Sequence, residues 1–146
     1  MQKAESFFTK EERTNIVKAI TQAEKQTSGE IRLYIEDSSK ADVLDRAAYI
    51  FEKLEMHKTA LRNGVLFYLS VSNRQFAIIG DAGIHKVVPS GFWDEIKTTT
   101  ITHFKNGNFT EGLCTGIHMA GEALKTHFPH KKNDSNELSN EIVFGK

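Results

Sequence analysis

Cysteine occurs once in this chain of 146 residues, as Cys114. No intrachain disulfide can form, and a reducing compartment is the simpler setting for such a sequence. An excess of one charge is also missing, because 19 Lys and Arg residues balance 19 Asp and Glu residues. A nucleic-acid backbone needs a concentrated basic face, so the composition argues against that class of partner. No stretch approaches the roughly 20 consecutive apolar residues of a membrane-spanning helix. The opening M-Q-K-A-E-S-F-F-T-K-E-E-R has no apolar core of a secretion signal. With Met1 as the start, these absences predict a soluble, cytoplasmic, monomeric protein. Proline occurs twice, Pro89 ahead of one helical segment and Pro129 at the end of another.

What is present is a globular balance, with 39% hydrophobic and 26% charged residues. Length and composition fit one domain with a sizeable core. Thr9-Lys10-Glu11-Glu12 reads as a capping box behind Phe8, and Ile16, Ile20 and Ala23 keep one face of a helix over residues 9–26. Thr27-Ser28-Gly29 ends it. Residues 30–37 alternate polar and apolar, as a strand with Ile31, Leu33 and Ile35 on one face. Val43, Leu44, Ala47, Ile50, Phe51 and Leu54 predict a second helix over residues 41–56. Residues 65–71 are apolar on both parities and predict a strand covered on both faces. Strand, helix, strand implies a right-handed parallel crossover. Ser72-Asn73-Arg74 is short enough for a hairpin turn into an antiparallel strand over residues 75–80. A helical turn is expected at 84–88. Two further helices follow, one opened by P-S-G-F-W-D and one carrying Leu113, Ile117, Ala120, Leu124 and Phe128.

The predicted order is α-β-α-β-β-α-α. It forms an α/β three-layer sandwich whose small mixed sheet has helices on both faces and leaves room for one further edge strand. Residues 1–128 form the domain, and residues 129–146 read as a polar, disordered tail. The E-I-V-F segment in that tail is either a frayed end or a strand offered to a partner's sheet edge.

Two ends of the sheet collect polar residues. Glu36, Asp37, Ser38, Ser39 and Asp42 gather at the carboxyl end of the first strand, with Ser72, Asn73 and Arg74 of the hairpin. Ser28, Gly29 and Glu30 gather at the other end, with Arg62, Asn63 and Asp81. Ligands of open α/β sheets favour the carboxyl ends of the parallel strands. Gly80-Asp81-Ala82-Gly83 has two readings. The glycines let the backbone approach an anion, or Asp81 ligates a cation; alternatively the glycines only shape a strand exit that Asp81 caps. Arg74, Gly80 and Gly83 are therefore the candidate ligand-contacting residues, and Asp81, Glu30 and Asp37 the candidate cation ligands. The six histidines show no H-E-x-x-H spacing, and no cysteine pair accompanies them, so zinc has no motif here. Cys114 and His118 share a helix face, but Cys114 sits among buried-type residues and reads as structural.

Three stretches carry a family resemblance. They are T-S-G-E-I-R-L-Y at residues 27–34, N-G-V-L-F-Y-L-S-V-S-N-R-Q-F-A-I-I-G-D-A-G-I at 63–84, and F-K-N-G-N-F-T-E-G-L-C-T-G-I at 104–117. In this order they resemble the TPM domain family over residues 8–128. That family includes a thylakoid-lumen acid phosphatase linked to photosystem II repair, and bacterial envelope proteins of which some bind calcium. The resemblance implies either a binding or assembly-support module serving another protein or a membrane-associated complex, or a weak calcium- or magnesium-assisted phosphatase. Many relatives carry an acid where Arg62 stands, and an acidic pair where Ser72 and Asn73 stand. Losing those carboxylates weakens a hard-cation site and favours the module. The same departures predict that Arg62 and Asp81, with Glu30, form an ion pair in place of a cation.

Overall fold

The computed structural model describes residues 3–130 and 140–145. The elements are α1 (Ala4–Phe7), α2 (Lys10–Glu24), β1 (Glu30–Glu36), α3 (Val43–Lys53), a 3-10 turn (Met56–Lys58), β2 (Gly64–Ser70), β3 (Gln75–Gly80), α4 (Ala82–His85), α5 (Phe92–Lys105), α6 (Phe109–His127) and β4 (Val143–Phe144). The strand order is β3-β2-β1-β4. β1 and β2 run parallel from Glu30 opposite Gly64 to Glu36 opposite Ser70. β2 and β3 form the antiparallel hairpin, from Val65 opposite Gly80 to Ser70 opposite Gln75.

The local signals explain the boundaries. Thr9 accepts from the Glu12 amide while Glu12 accepts from the Thr9 amide, closing the capping box and starting α2 one residue later than expected. Asp42 accepts from the amides of Leu44 and Asp45 and so fixes the start of α3. That helix is shorter than the predicted 41–56, because Glu55 adopts a left-handed conformation at φ 59° and breaks the ladder.

Period-two alternation divides the core between two faces. Ile31, Leu33, Ile35, Val65, Phe67, Leu69, Phe76 and Ile78 pack with residues of α1, α2, α5 and α6. Leu66, Tyr34, Tyr68 and Ala77 pack on the other face against Ala47, Ile50 and Phe51 of α3, with Met56. Every residue of β2 is buried, as its double-parity apolar run requires. Burying each large aliphatic side chain contributes about 1.5–3 kcal/mol, so the central strand is the main hydrophobic investment of the fold.

The chain end differs from a wholly disordered tail. Val143 and Phe144 pair in parallel with Tyr34 and Ile35, and the Gly145 amide donates to the Ile35 carbonyl at 2.7 Å. Phe144 joins the core, with the Arg13 guanidinium 5.7 Å from its ring centroid. An open β1 edge would leave backbone groups without partners, and an apolar pair in E-I-V-F is suited to fill it. Residues 131–139 of the predicted tail lie outside the described residues.

Candidate functional site

At the amino ends of β1 and β2 the register brings β3's exit beside the loop that enters β2. Asp81 follows β3, and its amide donates to the Gly64 carbonyl at 2.9 Å. Arg62 stands two residues before Gly64 at φ 53°. Its guanidinium grips Asp81 bidentately, Nε to Oδ2 at 2.7 Å and Nη2 to Oδ1 at 2.8 Å. Arg62 is half exposed, whereas Asp81 is buried. The hydrogen bonds that Asp81 accepts from it, together with the negative charge of Asp81, raise the guanidinium above its ordinary value. Glu52, His57, Arg62 and Asp81 line a cavity of about 380 Å³ on the α3 side.

The G-D-A-G segment is built around this pair. Asp81 Oδ1 also accepts from the Ala82 amide at 2.8 Å, which caps α4, and the Gly83 amide donates to the Arg62 carbonyl at 2.8 Å. The amides of Asp81, Ala82 and Gly83 are thus used internally and are not offered to an anion. A Cβ on Gly83 would lie 2.2 Å from the Leu61 carbonyl oxygen, and one on Gly80 would lie 2.2 Å from the Trp93 ring. The glycines serve close packing: Gly83 lets α4 rest on the loop at 61–62, and Gly80 lets Trp93 cover the strand. Gly83→Ala should destabilise the fold by about 2 kcal/mol, because backbone must move. Urea denaturation of Gly83→Ala beside the parent checks this.

Glu30 lies at the same end of β1 but not in the Arg62–Asp81 pair. Its buried carboxyl shares a hydrogen bond with Glu24, and Arg32 is the nearby positive charge. Glu24 also accepts from the Ile31 amide at 2.6 Å. Burial, reinforced by Glu30, pushes the Glu24 carboxyl up to about 8 despite that amide.

The other end of the sheet is equally committed. Asp37 accepts from the Ala4 amide at 2.6 Å and lies 3.5 Å from Lys3, tethering α1. That amide, with Lys3, holds its carboxyl below the ordinary range. Asn73 Oδ1 accepts from the Ser39 amide at 2.7 Å and from the Ser70 hydroxyl at 2.8 Å, joining the hairpin to the loop after β1. Arg74 occupies the turn at φ 53°. Glu36, buried on the α3 face, accepts from Arg46 Nε at 2.9 Å and Nη2 at 2.8 Å, and from the Tyr68 hydroxyl. Burial pushes its carboxyl up, but Arg46 and Tyr68 together hold it below its ordinary value. Burial and Glu36 raise Tyr68.

Of the three candidate cation ligands, Asp81 and Glu30 share one end of the sheet in separate pairs, and Asp37 lies at the opposite end. Among the described residues no three His, Cys, Asp or Glu side chains converge as a metal cluster. Burial raises the Cys114 thiol, and His118 lies 3.9 Å from Glu122. The Glu36–Arg46 and Glu24–Glu30 pairs have no sequence signature.

This three-layer mixed sheet with its hairpin defines the protein class. The TPM domain model matches residues 1–123, and the chain belongs to the TPM domain family. It is similar to the BA42 protein from the psychrophilic bacterium Bizionia argentinensis, at 50% identity and TM-score 0.91, covering 99% of this chain and 100% of that one. The N-terminal domain of a protein from P. gingivalis shares 19% identity at TM-score 0.68, over 86% of this chain and 83% of its own. That of cg2496 from Corynebacterium glutamicum shares 13% at 0.65, over 81% and 74%. These last two show the fold alone. Comparison with curated proteins gives no match. Among the described residues no helix is long and apolar enough to cross a membrane.

Proposed function

We propose that the chain is a binding module that takes an extended segment of a partner protein along the outer edge of β3. The observation that carries this reading is the open edge itself. β3 is the outermost strand on its side of the sheet. The Asp81–Gly64 hydrogen bond sets the antiparallel alternation, in which the amides of Gly80, Ile78 and Phe76 point away from β2. A cavity of about 370 Å³ runs beside this edge, lined by Leu44 of α3, by Ile78, Ile79 and Gly80, and by Trp93 and Lys97 of α5. Leu44 is 55% exposed there. Main-chain pairing with an added strand supplies affinity, and apolar walls select alternate side chains. The internal use of Asp81, Asp37 and Asn73 supports a module over a hydrolase, since their oxygens already have partners.

Capped heptapeptides of alternating valine and threonine test the reading by amide exchange. Binding should slow exchange at Phe76, Ile78 and Gly80, and leave Ala77 and Ile79 as they were. Uniform exchange at all five amides in saturating peptide would remove the support. The second reading is a weak metal-assisted phosphatase, for which the cavity holding His57, Arg62 and Asp81 is the relevant feature. Robust phosphomonoester turnover with calcium or magnesium, lost on Asp81→Asn, would establish it in place of the module. Arg62→Asp is expected to bind calcium more tightly than the parent, because it removes the competing guanidinium and adds a carboxylate beside Asp81. Calorimetry showing no gain would mean that Arg62 does not stand in for a cation.

A further inference from the structure

Where β2 passes into β3, beneath α5 and the start of α6, the core opens to the surface. The cavity has a volume of about 300 Å³ and is walled by Val71, Phe76, Ile101, Phe104 and Phe109. The walls are a continuous aromatic chain: Phe76 meets Phe104 edge-on at 5.3 Å, and Phe104 lies 5.1 Å from Phe109. Among the described residues, the only polar side chains lining it are Arg74 and Lys105. Arg74 is presented by the hairpin turn and Lys105 by the last turn of α5. Neither side chain forms an ion pair or hydrogen bond with a described residue. Among the described residues no carboxylate lines the cavity. Elsewhere at the sheet ends charged groups are paired: Arg46 with Glu36, Arg62 with Asp81, Lys3 with Asp37.

From this juxtaposition we propose that the cavity is a binding site for a small apolar monocarboxylate, its tail among Phe76, Phe104 and Phe109 and its carboxylate between Arg74 and Lys105. The size sets the tail length. At about 30 Å³ per water-sized group, the cavity takes roughly ten non-hydrogen atoms, the size of octanoate. A guanidinium presents two parallel donors to a carboxylate, and a lysine adds a point charge, so the anion is favoured over a neutral head group. An apolar pocket with a few convergent polar groups is the usual form of a small-ligand site. The site is distinct from the β3 edge groove and from the Arg62–Asp81 cavity, and does not depend on the proposed partner binding.

The test is NMR titration of the full chain, labelled with nitrogen-15, with octanoate, 1-octanol and octylammonium. Octanoate should shift amides of residues 69–76 and 101–109, and bind about five- to tenfold more tightly than octanol, the effect of two partly exposed charge contacts. Octylammonium should bind more weakly than octanol. In the double variant Arg74→Asn with Lys105→Gln, octanoate should fall to the octanol level while octanol is unchanged. Asparagine tolerates the left-handed turn position, so the hairpin is kept. Lys105→Gln alone, at the exposed end of a helix, should lower octanoate affinity about two- to threefold. Ile101→Trp, which fills the cavity, should remove binding of both ligands. The proposal fails if octanoate and octanol bind equally, if the shifts fall elsewhere, or if millimolar octanoate moves nothing.

Discussion

Arg46→Met should lower the unfolding free energy at pH 7 by about 3 kcal/mol. Glu36 is 3% exposed, and both of its oxygens accept from the Arg46 guanidinium. Among the described residues, removing the cation leaves a buried carboxylate whose remaining hydrogen-bond partner is the Tyr68 hydroxyl. Breaking one side of a buried pair costs about 3–5 kcal/mol, because the remaining charge has lost both its solvent and its partner. Arg46 is 27% exposed at its side chain, so water reaches the pair and the lower end of that range applies. Methionine keeps the apolar stem that α3 lays on the sheet, which separates the charge effect from a packing loss.

The pH dependence gives the sign. In the parent, Arg46 and Tyr68 hold the Glu36 carboxyl below its ordinary value, so this group contributes stability above the unfolded carboxylate range that is lost as pH falls through the folded value. In the variant the carboxyl rises instead, and protonation relieves the buried charge. The gap between parent and variant should therefore be widest near pH 7 and shrink toward pH 4. Urea denaturation at both pH values measures it. A gap that is constant with pH would assign the loss to packing. The double variant Glu36→Gln with Arg46→Met should recover part of the loss, since no buried charge then remains.

What the sequence makes legible follows from the range of each signal. Period-two and helical spacing are local, so β1, β2, α3 and α6 can be read from a dozen residues each. The meeting of Arg62 and Asp81 is legible because a hairpin of known register carries one across to the other. Glu36 and Arg46 are not legible in the same way. The loop between β1 and α3 sets their approach, and Arg46 reads as a solvated helix residue. Asn73 reads as a turn residue, whereas its side-chain oxygen joins two loops at once. β4 is the longest-range case: two apolar residues after a polar stretch acquire a role only because β1 has an open edge. The cavity under α5 escapes the sequence for a different reason. Phe76, Phe104 and Phe109 each read as core, and nothing local says that their packing leaves space beside two cations.

Glu24 supplies the second large effect, and its direction is unusual for a carboxyl. Its folded value is raised to about 8 by burial and by the neighbouring Glu30, while the unfolded chain titrates near the ordinary carboxyl value of 4.5. Between those values the unfolded state binds fewer protons than the folded state, so stability falls as pH rises from about 4.5 to about 8. At about 1.4 kcal/mol per pKa unit over roughly 3.5 units, the decline is on the order of 5 kcal/mol at most. Glu12, Glu36 and Asp37 act oppositely, because their folded values are lowered. Their contribution is lost on the acid side, as pH falls below the ordinary carboxylate range. Stability should therefore peak near pH 5 and decline toward pH 8. Glu24→Gln keeps an acceptor for the Ile31 amide and removes the ionisable group, so the variant should lose the decline and exceed the parent at pH 8. Glu30→Gln should also flatten the profile, because it removes the neighbouring carboxylate that reinforces the shift. Chemical denaturation at half-unit intervals from pH 4.5 to 8.5 provides the measurement. A parent profile that is flat over this window, or a Glu24→Gln variant that declines as steeply as the parent, would show that the two carboxyls do not share a proton.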